Sequence, residues 1–140
     1  MKHTILYLFS ICLFSLNTSK MKAQDNNSEQ HNYLILSKNL QQLKPVLLTA
    51  NELKQEDGPT YGNFHMIICG KTVSDIPNNS AFEALLKEAS SQNVKVFACG
   101  ISLKKFNVDI TKLPKNITIV ENGILYGFQL LKQGFITLTI

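Results

Sequence analysis

Short apolar runs alternate with helical patterns along most of this chain, and this alternation limits its possible folds more than any other feature. Strands that alternate with helices form parallel sheets joined by right-handed crossovers. The sequence therefore predicts an α/β fold, a three-layer sandwich around a mainly parallel five-stranded sheet of flavodoxin-like or related open topology. The strand order is not predicted. The runs that predict strands are Tyr33–Ser37, Phe64–Cys69, Val94–Cys99, Ile117–Val120 and Phe135–Ile140.

Two of the intervening segments have well-defined helix boundaries. The first amphipathic stretch covers about Gln41–Gln55, and its proline, Pro45, places the helix start near Leu43, because proline fits only in the first turn. The second is predicted over Ala81–Ser91, with Ser80 as its N-cap. Each helix is expected to bury one apolar face against the sheet.

The last helix is predicted over Ile124–Lys132. Its apolar side chains at helical spacing predict the face that packs on the core. We interpret that face as core rather than as a ligand site. The residues that form it are Ile124, Leu125, Phe128 and Leu131.

The first 31 residues are not expected to belong to the fold. An apolar run over Ile5–Leu16 follows Lys2 and is too short to span a bilayer as a helix, which is typical of a secretory signal peptide. We predict a signal peptide over residues 1–23, cleaved after Ala23, and hence a periplasmic or otherwise exported protein with no stable membrane span. Residues 24–31 contain no apolar side chain and predict a flexible leader. Residues 32–140 remain as one α/β domain.

The charge and motif content argue against several classes of function. Removal of the predicted signal peptide, residues 1–23, reduces the net charge from +4 to about +1. The chain also has no arginine, the side chain that binds phosphate or guanine through two hydrogen bonds. Nucleic acid is therefore not an expected partner. No glycine-rich phosphate loop occurs, and His31 and His65 are not at metal-ligand spacing. We expect no cofactor and no metal.

Cys99 is the first candidate for a chemical role. It ends a predicted strand and precedes Gly100, and the carboxyl ends of parallel strands are where open α/β sheets bind ligands. Backbone N–H groups and the positive end of a following helix favour a thiolate there. Ser102 is predicted to cap that helix, and Lys104 and Lys105 follow within the next turn. A lowered thiol pKa is therefore expected.

Cys69 is the secondary candidate, at the end of the preceding strand with Lys71 as its single nearby cation. Both thiols also fit a purely structural role, because cysteine is among the most buried residue types. Their relation depends on strand order. If the second and third strands flank the first, the thiols lie two strand spacings apart, about 9–10 Å, beyond disulfide reach. Adjacent strands would allow a redox-sensing disulfide.

The chain from about Tyr33 to Ile140 resembles the DsrE/DsrF-like family of sulfur-relay proteins, and specifically small exported DsrE-like proteins of Gram-negative bacteria. The resemblance rests on the segments VKVFACGISL, ITIVENG and QGFITL, of which the ACG around Cys99 is the sharp motif. It implies an α/β sandwich that assembles into trimers or hexamers. It also implies that Cys99 carries sulfur as a persulfide between partner proteins. Cys69 matches no family site, and Ser37–Leu40 departs from the family's Gly- or Thr-rich loop.

The leading hypothesis is therefore an exported sulfur carrier or thiol-redox protein in which the Cys99 thiolate takes a sulfane sulfur and hands it on. Its activity would be at most sulfurtransferase-like, with a sulfur donor or acceptor protein as partner. The alternative is a non-catalytic oligomeric or ligand-binding α/β domain with structural cysteines. Apolar residues near the carboxyl end are consistent with a homo-oligomer: Tyr126, Phe128, Phe135 and Ile136.

Overall fold

A computed structural model describes residues 30–140 as a parallel five-stranded sheet covered by helices on both faces. The strands are β1 (His31–Ser37), β2 (Tyr61–Ile68), β3 (Val94–Cys99), β4 (Thr118–Val120) and β5 (Ile136–Thr139). The helices are α1 (Leu43–Asp57), α2 (Ser80–Ser91), α3 (Gly100–Lys105) and α4 (Gly123–Lys132). All four strand pairings are parallel, so the predicted α/β class is confirmed.

The strand order is β4-β3-β2-β1-β5. This order differs from the flavodoxin order, in which the second and third strands lie on either side of the first. Here β2 and β3 are direct neighbours, and β1 lies between β2 and β5. The arrangement that would hold the two cysteines two strand spacings apart is therefore absent from the described sheet.

The two faces of the sheet have cores of unequal size. Alternate side chains of β2, such as Phe64, Met66 and Ile68, enter the larger core, to which α1 and α2 also contribute. Ile67 points to the opposite face and enters a smaller core, to which α4 contributes Leu130. Both cysteines belong to this smaller core, which consists of Leu34, Ile67, Cys69, Phe97, Cys99, Leu130 and Phe135.

The helix boundaries follow the predictions closely, with one correction. Helix α1 starts at Leu43, which keeps Pro45 in its first turn. Helix α2 starts at Ser80, and its N-cap is Asn79, whose side-chain oxygen accepts a hydrogen bond of 2.9 Å from the Phe82 amide. The prediction of Ser80 as the cap was wrong because Asn79, one residue earlier, has the extended backbone that a capping residue needs.

The prediction for the buried face of α4 was also wrong. The four side chains expected in the core, Ile124, Leu125, Phe128 and Leu131, are between 50 and 60% exposed. The helix instead faces the sheet with Gly123, Gly127 and Leu130. A methyl group placed at Gly127 would contact Leu34, Leu36 and Ile67 at 3.7–3.8 Å, so the helix backbone lies close to the sheet. Glycine gives no hydrophobic signal, and the pattern therefore indicated the opposite face.

The folded region begins slightly before its predicted start. His31, assigned to the flexible leader, is the first residue of β1, and its Nδ1 lies 3.0 Å from Oδ1 of Asp57 at the end of α1. The predicted signal peptide and residues 24–29 lie outside the described residues. Among residues 30–140, none of the helices is both long and apolar enough to cross a bilayer.

Candidate thiol site

The fold brings the two predicted cysteines side by side. Cys99 is the last residue of β3, and Cys69 directly follows Ile68, the last residue of β2. Ile68 pairs with Ala98, so Cys69 and Cys99 occupy the next positions on two neighbouring strands. Neighbouring strands lie about 4.8 Å apart. The two side chains share the sheet face that α4 covers.

Gly123, the first residue of α4, lies directly against both cysteines. A Cβ atom placed there would lie 3.0 Å from the Cys69 Sγ, 3.0 Å from the Cys99 Cβ and 2.9 Å from the Ile67 Cγ2. These distances are too short for a side chain. The glycine thus allows the helix to cover both thiols, which are free and only 6% (Cys69) and 3% (Cys99) exposed.

The Cys99 sulfur accepts a hydrogen bond of 3.3 Å from the Gly123 amide. Ser102, through its hydroxyl and its amide, and the Cys69 thiol also lower the pKa of Cys99 by hydrogen bonding to its sulfur. The Ser102 Oγ accepts a 2.9 Å bond from the Gly70 amide, which leaves the hydroxyl hydrogen free to point at Cys99. Gly70, in the loop after β2, thereby orients the Ser102 hydroxyl toward Cys99 at the end of β3.

The pKa values of the two thiols are shifted in opposite directions. Burial raises the pKa of Cys99, but the hydrogen bonds from Ser102, Gly123 and Cys69 outweigh burial and lower its pKa overall. Burial, the nearby Cys99 charge and the hydrogen bond to Cys99 raise the pKa of Cys69 to about 12, with a small opposing effect of Lys38. The pair therefore favours a thiolate on Cys99 and keeps a proton on Cys69, which donates it in a hydrogen bond.

The source of this acidity differs from the sequence-based expectation. Ser102 does not cap α3: Cys99 itself occupies the N-cap position, and Ser102 lies within the helix. Lys104 and Lys105 lie in the last turn of α3 and are not among the main causes of the lowered Cys99 pKa. Hydrogen bonds, rather than cations, stabilise the thiolate.

Sequence reasoning missed Gly70 and Gly123 as parts of the site. Gly123 follows Asn122, which caps α4, because the Asn122 side-chain oxygen accepts hydrogen bonds of 3.1 Å from the Ile124 and Leu125 amides. One feature of the sequence points to Gly123: it starts the helix that follows β4. The carboxyl ends of all parallel strands lie at one edge of the sheet, so this helix start lies near the ends of β2 and β3.

An open cavity of about 540 Å³ lies beside the cysteine pair. It is bounded by α3, by the β4–α4 turn and by the first turns of α4. Cys99 does not line it, but Ile101 and Asn122, which lie next to Cys99 and Gly123 in the chain, do. Lys104 contributes a cation and Glu121 an anion to its wall. The full lining is Ile101, Lys104, Val120, Glu121, Asn122, Leu125, Tyr126 and Gln129.

His65 lies on the same face of the sheet, but aromatic rings surround it. It is 5% exposed, and neither ring nitrogen has a hydrogen-bond partner among residues 30–140. The rings of Phe97 and Phe135 lie 5.1 Å from it. Burial and the Lys95 charge lower the pKa of His65 to about 4, so the ring is neutral at ordinary pH. No group of three or more potential metal ligands occurs within residues 30–140.

Comparisons with known proteins support the fold and go no further. No known protein-family profile matches this chain, and no curated protein matches it. The protein of unknown function MTH1491 from Methanobacterium thermoautotrophicum is similar in structure, with a TM-score of 0.65 and 13% identity over 80% of this chain and 99% of that one. The conserved protein of unknown function BT1422 from Bacteroides thetaiotaomicron has a TM-score of 0.58 and 23% identity, over 78% and 94%. At these identities, the similarity shows a shared α/β fold only.

Proposed function

We propose that this protein is an exported sulfur carrier or thiol-redox protein, and that Cys99 is its reactive group. The observation that carries the proposal is the hydrogen bond from the Gly123 amide to the Cys99 Sγ, together with the lowered pKa of Cys99, to which Ser102 also contributes. The thiolate, not the thiol, is the nucleophile in sulfur chemistry. The resemblance to DsrE-like proteins supports the same assignment.

The proposed reaction is the transfer of one sulfur atom in two steps. The Cys99 thiolate attacks the outer sulfur of a persulfide donor, forms a new S–S bond, and releases the donor as a thiolate. An acceptor thiolate then attacks that outer sulfur, and Cys99 leaves as a thiolate again. The donors that stabilise the Cys99 thiolate also make it a good leaving group, since a thiol of lower pKa leaves faster. The activity is sulfurtransferase-like, with donor and acceptor proteins as partners.

Native-state alkylation tests the acidity on which this proposal rests. We expect Cys99 of the folded chain starting at Gln24 to react with iodoacetamide with an apparent pKa below the free-thiol value of about 8.5. Cys69 should remain unlabelled over the same pH range, because its pKa is raised to about 12. Labelled cysteines are identified by peptide mass mapping, with Cys99→Ser as the control that should lose the fast reaction.

The structural alternative predicts a different result from the same experiment. Both thiols are almost completely buried, which favours the interpretation as a non-catalytic α/β domain with structural cysteines. In that case, neither cysteine would react until the protein unfolds, and labelling would follow the unfolding curve rather than a thiol titration. That result would exclude Cys99 as the sulfur-carrying group.

We also propose that the protein is a homo-oligomer, a trimer or hexamer as the family resemblance implies, and that α4 lies at the subunit interface. Helix α4 presents apolar side chains on both faces, and such a helix is normally buried on all sides. A groove of about 180 Å³ separates it from the edge strand β5. On the other face of β5, Ile136 and Leu138 are also exposed. Contiguous exposed apolar surface of this kind marks interaction sites. The aromatic residues expected to support an oligomer differ in exposure: Phe128 is exposed, Tyr126 is half-buried and Phe135 is buried.

Substitution of Phe128 tests this interface. Phe128→Glu is expected to convert the oligomer to monomer, because it places a charge in the apolar contact, and light scattering measures the mass. The matched control is Leu48→Glu, since Leu48 on α1 is also 60% exposed but lies away from α4. The Leu48 variant should keep the mass of the unsubstituted protein. A monomeric mass for the unsubstituted protein would contradict the proposal.

A further inference from the structure

We infer that Cys69 is a resolving thiol: it attacks the persulfide formed on Cys99, closes a Cys69–Cys99 disulfide and releases the carried sulfur as hydrogen sulfide. This inference rests on the proposed function, because it requires Cys99 to accept a sulfane sulfur first. It goes beyond that function by giving the sulfur a second possible fate. The protein would reduce sulfane sulfur to sulfide when no acceptor thiol takes it.

The placement of the two cysteines supports this step. They occupy matching positions on neighbouring strands, which lie about 4.8 Å apart. That spacing falls within the 4.4–6.8 Å range of Cα separations seen in disulfides. Both side chains lie on one face, and the residue above them, Gly123, has no side chain to separate them. The spacing of these neighbouring strands is therefore compatible with a disulfide between the two cysteines.

The chemical step balances without an added oxidant. The Cys69 sulfur attacks the Sγ of the Cys99 persulfide, and the bond between that Sγ and the outer sulfur breaks. The outer sulfur leaves with the bonding electrons and takes the Cys69 proton, so the product is HS⁻. The two protein thiols are oxidised to a disulfide by two electrons, and the sulfane sulfur is reduced to sulfide. A dithiol reductant then returns both cysteines to the starting state.

The environment of the pair orders the two steps. While Cys99 is a thiolate, burial, the Cys99 charge and the hydrogen bond to Cys99 hold the proton on Cys69. When Cys99 binds a sulfur atom, its Sγ becomes neutral, and the negative charge moves to the outer sulfur. The charge then lies on the atom that leaves, and that atom accepts the Cys69 proton as Cys69 attacks.

Burial favours the internal reaction over attack by an external thiol. Cys99 is 3% exposed, so a thiol in solution has little access to it, whereas Cys69 is already beside it. Groups held in reacting geometry behave as if present at very high concentration. The fate of the sulfur thus depends on whether an external acceptor thiol reaches Cys99 before Cys69 attacks.

The test uses the chain that starts at Gln24, reduced, without oxygen, and treated with glutathione persulfide as the sulfur donor. The readouts are the intact protein mass, the peptides that carry Cys69 and Cys99, and the sulfide released. For the unsubstituted protein, we expect a loss of two hydrogens, a linked Cys69–Cys99 peptide and one sulfide per disulfide. Dithiothreitol should restore the starting mass.

Cys69→Ser separates the two proposals. It should gain one sulfur atom on Cys99, keep it, and release at least tenfold less sulfide. Cys99→Ser should show neither product. An unsubstituted protein that retains the extra sulfur without forming the disulfide would overturn the resolving role and leave the carrier function intact. If neither the unsubstituted protein nor Cys69→Ser gains sulfur and no disulfide forms, the carrier function itself fails. The disulfide measurement needs no variant, so it holds even if Cys69→Ser does not fold.

Discussion

Ser102→Ala is expected to slow the alkylation of Cys99 at neutral pH by about tenfold or more and to move the midpoint of its pH profile upward. The substitution removes the hydroxyl that donates to the Cys99 sulfur. A hydrogen bond to a charged group contributes roughly 1.5–3 kcal/mol, and about 1.4 kcal/mol corresponds to a factor of ten in a population. The thiolate population falls accordingly. The measurement is the alkylation rate of Cys99 as a function of pH, followed by mass spectrometry.

Ser102→Ala also leaves the Gly70 amide without its acceptor, so some loss of stability accompanies the change in acidity. Ser90→Ala is the matched control, because Ser90 is also a serine within a helix, whose hydroxyl donates to the Leu86 carbonyl away from the cysteines. That variant should keep the Cys99 profile unchanged. A Ser102→Ala profile identical to that of the unsubstituted protein would show that the serine does not stabilise the thiolate.

Gly123→Ala is expected to reduce the free energy of unfolding by about 1–3 kcal/mol, the usual range for forcing an extra methyl group into a packed core. The new methyl group would meet Ile67, Cys69 and Cys99 at 2.9–3.0 Å, so the helix must move away from the sheet. The same movement weakens the bond from the residue 123 amide to the Cys99 sulfur and raises the pKa of Cys99. Urea denaturation measures the first effect, and the alkylation profile measures the second.

Gly127→Ala provides a control within the same helix. A methyl group at Gly127 would make ordinary contacts of 3.7–3.8 Å with Leu34, Leu36 and Ile67. Alanine is favoured over glycine inside a helix by about 0.8–1 kcal/mol, so this variant should be as stable as the unsubstituted protein or more so. Equal destabilisation by both substitutions would mean that the tight contact at Gly123 is not the cause.

The sequence was sufficient to predict the fold class and to single out the two cysteines of the candidate site, but not their relation. The apolar runs ending at Cys69 and Cys99 are visible in the chain, and the structure confirms the strands they predict. Whether these strands are neighbours depends on contacts between distant segments, which leave no local pattern. The pairing of Ile68 with Ala98 is what makes two separate cysteines a pair.

The other differences come from residues whose role is carried by the backbone. Gly123 acts through its amide and through the absence of a side chain, and Gly70 acts through its amide and through a backbone φ of 78° that favours glycine. Neither contribution appears in a hydrophobic or charge pattern. The wrong face of α4 has the same origin, because Gly127 allows a close approach that pattern analysis treats as neutral.

The position of β1 between β2 and β5 has a consequence for how the sheet assembles. Tyr33 pairs with Ile136, so the two ends of the described region are joined directly, whereas β2, β3 and β4 each pair with the strand before them in the chain. Contacts between distant segments carry the largest loop-closure cost and form slowly. One edge of β1 is therefore unpaired until the carboxyl-terminal strand docks. The pairing of β2 with β3, which brings the two cysteines together, does not involve that strand.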